Sequence, residues 1–228
     1  MCGRFTLTIN FPELREYFPD KWLADDDLHS SANYNIAPTN MVTAIINART
    51  PSMCRLRWGL IPSWWEEVGR RSGLINARSE TVDEKPSFRQ AFRRRRCLIP
   101  ADGFYEWRLM SNGEKQPVYV RLETEEVFAF AGLWECNSRG FGSGGDEIYS
   151  CTILTTKANE LLRPIHNRMP VILPVDDYEA WLETEESDPF VLQRMMRPYP
   201  GTEVSAYVVD GSVNNPRNNS PACIRPTR

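Results

Sequence analysis

The sequence predicts an α+β fold: a curled, largely antiparallel, barrel-like β-sheet core with short flanking helices, in a single domain spanning residues 1–228. Three observations carry this. Beyond position 96, short runs rich in β-branched and aromatic residues follow one another. Turn signals such as "SNGE" and the glycine-rich "RGFGSGGDE" separate them. Segments with helical spacing are short and interspersed with these runs, the pattern of α+β rather than of long paired helices.

Taken in order, Asn10 and Glu13 have the spacing of a capping box, and Phe11, Leu14, Tyr17 and Phe18 repeat at helical intervals, so a short amphipathic helix follows an extended N-terminal segment bearing Cys2. "MVTAIINA" reads as a strand, and "RLRWGLIPSWW" as a second one ending in a proline-broken aromatic loop. Pro86 is expected to open a helix through "SFRQAFRRRR", with Phe88 and Phe92 on its apolar side. Strands follow at "RCLIPADGFYEW", "QPVYVRL", "VFAFAGLWE" and "YSCTILTT". "KANELLRPI" is expected to be a short helix running into a turn and strand at "HNRMPVIL". "VDDYEAWLETEE" is an acidic amphipathic helix with Tyr178, Trp181 and Leu182 inward; "TEVSAYVV" is a last strand and "NNPRNNSPACIRP" an irregular tail. The glycine-rich piece lacks the G-K-[ST] ending of a phosphate loop and reads as a hairpin connection.

Composition narrows the function classes. No apolar run approaches the ~20 residues of a membrane span, and no secretory signal opens the chain, so no membrane association is expected. The six cysteines form no C-x-x-C pair and only His29 and His166 could join them, which points away from a zinc site; no metal and no cofactor is expected. A reducing compartment suits those thiols: the cytoplasm and nucleoid of a prokaryote or the nucleus of a eukaryote. The net charge of −3 hides a segregation, because residues 55–96 carry ten arginines and one lysine against five acids, whereas residues 176–188 hold seven acids and no base. One cationic face for a polyanion and another, solvated face fit that pattern.

Cys2 raises the sharpest chemical question. Removal of Met1, which a small second residue permits, would leave an α-amine and a thiol on adjacent carbons. An α-amine titrates near 7.7–8.0, far below lysine at about 10.4, so it is the chain's best amine for attacking an aldehyde. The thiol could then close on the same carbon to give a five-membered thiazolidine, helped by effective concentrations of ~10⁵ M or more. A stray residue near a frayed end is the plain alternative. His29, in "LHSSAN", reads as a loop residue, whereas His166 is hemmed in by prolines and a turn. Glu106, among Phe104, Tyr105 and Trp107, either faces solvent by strand alternation or sits in an apolar site that raises its pKa. Asn76 offers a donor and an acceptor, two residues from Arg78. Trp58, Trp64 and Trp65 lie near Arg55, Arg57 and Arg78, the composition of a stacking platform for unpaired bases or simply of a core. The run "RRRR" at 93–96 is a solvated helix end or part of an electrostatic funnel.

Together "MCGRF", "YNIAPT", "WGLIPSWW", "INARSET", "RRCLIPADGFYEW", "FAGLWE", "ILTT", "IHNRMPVIL" and "VNNPRNNSP" resemble the SRAP (SOS response-associated peptidase) family over nearly the whole chain. That resemblance implies a protein of the DNA damage response that crosslinks to abasic sites in single-stranded DNA; separately, a monomer is expected. The resemblance assigns Cys2 to the sugar aldehyde, Asn76 to holding the sugar and thiazolidine, Glu106 to orienting and deprotonating the amine, and His166 to acid/base steps. It further implies Arg4 and Arg78 as phosphate contacts, and Pro38, Trp64 and Trp65 as the wedge and stack at a kinked strand. Two departures stand out: Asn167 occupies a position where many members carry aspartate, and the arginine run is longer than the motif needs. Two other readings stay open on the residues, a thiol peptidase using Cys2, His166 and Asn76, and a noncatalytic reader of modified DNA.

Overall fold

The computed structural model describes residues 2–22, 31–47, 51–66, 73–138, 146–183 and 188–227. His29, most of the glycine-rich connection and the end of the acidic segment lie outside them. Strands β1 (Phe5–Leu7), β2 (Asn33–Ile36), β3 (Met41–Ile46), β4 (Ser52–Trp58), β5 (Asn76–Arg78), β6 (Arg96–Ala101), β7 (Gly103–Leu109), β8 (Lys115–Leu122), β9 (Phe128–Asn137), β10 (Ile148–Lys157), β11 (Arg168–Pro170), β12 (Ile172–Leu173) and β13 (Val204–Val208) build two sheets. One is five-stranded in the order β13-β8-β7-β1-β2, each pairing antiparallel. In the other, β4-β3-β6-β9-β10 closes on itself because β10 pairs with both β9 and β4, the latter in parallel. Closure leaves that ring without edges. Its strands read as nearly continuous apolar runs, β6 being buried at every position.

The expected single run "RCLIPADGFYEW" is two strands that turn a corner at Asp102, passing from the barrel into the second sheet. The corner is tightly fitted: a Cβ on Gly103 would lie 2.1 Å from the Tyr119 hydroxyl. Asp102 also anchors β1, accepting from Thr6 Oγ1 at 2.5 Å and from the Thr8 amide at 2.6 Å. The chain's first strand is thereby pinned to the corner between the two sheets.

Short helices flank the sheets: α1 (Phe11–Leu14), α2 (Arg89–Arg94), α3 (Tyr178–Trp181) and α4 (Pro189–Met195). The capping box forms as spaced, with Asn10 Oδ1 accepting from the Glu13 amide at 3.1 Å and Glu13 Oε2 from the Asn10 amide at 2.8 Å. Two expectations are corrected. Pro86 lies in turns, and α2 starts three residues later. "KANELLRPI" makes turns in place of a helix; Asn159 Oδ1 caps the Leu162 amide at 2.9 Å, and Pro164, lacking an N–H, stops any continuation. Tyr178, Trp181 and Leu182 are buried as their spacing predicts. Helix α4, capped by Asp188, has no counterpart in the sequence reading.

The arginine run is corrected as well. Arg93 and Arg94 are exposed, Arg95 pairs with Glu135 at 2.7 Å, and Arg96 is fully buried. The Arg96 guanidinium donates to Phe92 O at 3.0 Å, Arg93 O at 2.8 Å and Trp181 O at 2.7 Å, satisfying orphan carbonyls at the end of α2. Burial pushes its pKa down to about 10.

Pro38 and Thr39 sit at the tip of the turn between β2 and β3, where the Asn40 amide donates to Ala37 O at 3.1 Å. Thr39 holds a φ of 77°, a left-handed conformation rare for a β-branched residue. Thr39→Gly relieves that strain and gives back part of the gain as unfolded-chain entropy, for a net stabilisation of about 1 kcal/mol. The check is a higher urea midpoint at unchanged slope.

Candidate active site

Cys2 lies inside the main core, with no exposed surface. Two elements hold it. Strand β1, fixed at Asp102, leads directly from it, and Asn76 on β5 donates its Nδ2 to the Cys2 carbonyl at 2.8 Å. Strand β5 is itself held by β10, with Ile153 opposite Asn76 and Thr155 opposite Arg78. Asn76 Oδ1 is buried without a hydrogen-bond partner, a state that buried acceptors rarely keep. A bound hydroxyl or N–H can fill it.

Glu106 takes the buried alternative of the two the sequence allowed: it is 3 % exposed. Tyr105, next to it on β7, is buried too, because one face of the strand packs on a cluster containing Tyr119, Val209 and Cys223 while the other closes over the site. Burial raises the Glu106 pKa to about 7, which makes it a proton acceptor and donor poised near neutrality. Burial, and then the Glu106 charge, push the Cys2 thiol far above its ordinary value. It is a thiol at neutral pH.

His166 follows the Pro164 turn, half-buried. Its Nδ1 lies 3.0 Å from the Arg168 amide and 3.2 Å from the Arg168 carbonyl, so the Arg168 backbone fixes the orientation of the ring. Burial, foremost, lowers its pKa. The charged partner that Asn167 does not supply comes from elsewhere: Arg168 Nη1 pairs with Glu80 at 2.5 Å, and Asn167 is exposed. That bond holds the Glu80 carboxyl below its ordinary range.

Glu106 and His166 meet in one cleft of about 350 Å³ with Trp107, Lys115 and Asn214. These last three were not singled out in sequence. Trp107 follows Glu106 in "FYEW" but packs with Tyr105 on the other face of β7, and Asn214 falls within the "VNNPRNNSP" motif; nothing local marks Lys115.

The nucleic-acid candidates divide. Trp58 is a buried strut, not a platform. Its indole donates to Ile75 O at 2.9 Å, next to Asn76, and its backbone exchanges bonds with Thr39 and Asn40 at 2.8 and 2.9 Å. It thus ties the Pro38 turn and β5 to the root of the aromatic loop. Within that loop Trp64 is 56 % exposed and meets Trp65 edge-on at 6.2 Å, while Trp65 packs on Ile61 and Ile148. Arg78 is exposed. Arg4 is turned inward: Nη1 donates to Asn35 Oδ1 at 2.6 Å and Val213 O at 2.7 Å, and the guanidinium lies 5.9 Å from the Trp107 ring centroid.

Comparison with known proteins adds family evidence to this geometry. A family model described as SOS response associated peptidase (SRAP) matches residues 1–216. The chain is 44 % identical to the abasic site processing protein YoqW of Bacillus subtilis (strain 168) over 226 residues, 98 % of this chain and 99 % of that one. It is 29 % identical to the abasic site processing protein HMCES of Xenopus tropicalis over 265 residues, 98 % of this chain and 78 % of that one. A crystal structure of a Bacteroides thetaiotaomicron protein shares the fold over the whole of both chains, with a TM-score of 0.85 at 23 % identity. Another, from Bordetella bronchiseptica, gives 0.76 at 27 % identity over 92 % of this chain and all of the other.

Proposed function

We propose, from the premise that this chain belongs to the SOS response associated peptidase (SRAP) family, that it captures abasic sites in single-stranded DNA as a covalent adduct on Cys2. The reading begins with loss of Met1, which puts an amine and a thiol on one residue. His166 moves a proton between the C1′ hydroxyl and the ring oxygen of the deoxyribose, exposing the aldehyde. Glu106 takes a proton from the Cys2 ammonium, and the freed amine adds to C1′. Loss of one water gives an imine. The Cys2 S–H then adds across the C=N bond: a C–S bond forms, the thiol proton ends on nitrogen, and a thiazolidine closes without any change in oxidation state. Asn76 holds the Cys2 backbone so that amine and sulfur share one target, and its Oδ1 accepts a hydrogen bond from the ring N–H or the sugar.

The observation that carries this reading is the 2.8 Å bond from Asn76 to the Cys2 carbonyl beside a Glu106 buried in the reacting cleft. The raised thiol pKa argues against one of the open alternatives, the thiol peptidase. A thiol peptidase needs a standing thiolate, favoured by cationic surroundings, whereas a thiol adding to an imine hands its proton to the nitrogen. In this reading the Pro38 turn and Trp64 with Trp65 stack against the flanking bases, and Arg78 meets a phosphate.

The test uses a uracil-excised oligonucleotide beside the same strand carrying tetrahydrofuran, an abasic analogue without an aldehyde. A slow band that survives denaturing electrophoresis is expected with the first only. No band with the excised strand, or equal bands with both, contradicts the proposal.

A further inference from the structure

Two motifs that supply no reacting group, "YNIAPT" and "VNNPRNNSP", meet at one buried side chain. Asn35 is 2 % exposed. Its Oδ1 accepts from Arg4 Nη1 at 2.6 Å, while its Nδ2 serves three carbonyls of the tail: Val213 at 3.2 Å, Asn215 at 3.0 Å and Asn218 at 2.7 Å. Arg4 shares the Val213 carbonyl at 2.7 Å. The amide so placed closes the 213–218 loop from within, over a chain separation of more than 170 residues. From that loop Asn214 reaches back and accepts from the Trp107 indole at 2.8 Å, and both residues line the cleft that holds Glu106 and His166. At its other end, Arg4 lies two residues from Cys2, whose sulfur faces the Arg4 carbonyl at 3.8 Å.

We infer that Asn35 is a positioning residue that sets the distance between the Cys2 terminus and the Trp107–Asn214 wall of the cleft. The inference rests on the covalent reading above. It gives the tail motif a purpose, as a preorganised wall against which the opened sugar is held during ring closure. Arg4, in this view, serves as the strut between the reacting terminus and that wall. A misplacement of even about 1 Å at such a wall is enough to cost a reaction on the order of 100-fold.

Asn35→Asp keeps the acceptor for Arg4 and removes both donors to the tail. With the abasic strand saturating, its crosslinking rate is expected to fall at least about tenfold. Its dissociation constant for the tetrahydrofuran strand is expected to change less than about threefold, because Arg78 and the aromatic loop lie on other elements and the Pro38 turn is held by the Trp58 backbone, not by Asn35. Since a buried substitution can unfold the chain, a second pair acts at the exposed end of the relay. Asn214→Ala is expected to slow saturated crosslinking severalfold, and Asn214→Asp, which still accepts from Trp107, to restore it. A saturated rate equal to wild type in Asn214→Ala, or in a folded Asn35→Asp, overturns the inference. So does a loss confined to affinity. Failure of the wild-type protein itself to crosslink overturns the covalent reading instead.

Discussion

Cys2→Ala is expected to form no denaturant-stable adduct with abasic single-stranded DNA, while its affinity for the tetrahydrofuran strand stays within about threefold of wild type, since no phosphate-binding or stacking group is touched. The alanine variant keeps the α-amine once Met1 is gone, so the imine still forms and still hydrolyses. Borohydride should therefore trap the variant on the excised strand, and without borohydride the complex should dissociate on denaturation. The fold tolerates the change: losing one buried sulfur costs about 1 kcal/mol, by analogy with a buried methylene. Gel analysis with and without reductant, alongside a thermal melt, separates loss of chemistry from loss of structure.

Glu106→Gln is expected to slow adduct formation about 100-fold, the scale of a lost general base, and at the same time to make the protein more stable in mild alkali. The sign follows from the pKa. Burial raises the folded value to about 7 from an ordinary 4.5. The neutral carboxyl is thus favoured by the fold, so its contribution is complete below pH 4.5 and is lost as the pH rises through 7. By linkage the loss reaches about 3 kcal/mol at pH 8 at most. Glutamine is neutral throughout and escapes this penalty. Urea unfolding at pH 4.5 and pH 8 should show the wild type losing stability relative to the variant over that interval. The pH–rate profile of the wild type should carry an inflection near 7 that the variant lacks.

How much of this was legible in the sequence depended on whether a signal was local. The Asn10–Glu13 capping box is a four-residue device and forms as spaced. The strands of the barrel carry the β-branched and aromatic composition their buried faces demand, so their positions were readable. What was misread required knowing a distant partner. Four adjacent arginines look alike in sequence, yet Arg96 is drawn into the core by carbonyls of α2 and Trp181, while Arg93 and Arg94 remain outside. Three tryptophans in eight residues look like one platform, but Trp58 ends a barrel strand and is fully buried. Pro86 has the conformational bias of a helix start, and tertiary turns override it. In the site, Glu106 stood out as a carboxylate among aromatic residues, whereas Asn76 took its role from the family motif around it. Lys115 and Asn214 join them only through pairing of β7 with β8 and through the Asn35 relay. Neither contact has a sequence signature.

The central claim is that the amine and sulfur of one residue both bond to the sugar. Peptide mass analysis of the adduct between the purified protein and a uracil-excised strand tests it most directly. The account predicts a peptide beginning at residue 2, heavier by the opened sugar fragment less one water, and unchanged in mass by borohydride because the ring has no C=N bond left to reduce. An adduct mapped to a lysine, or a crosslinked protein that still carries Met1, would contradict it.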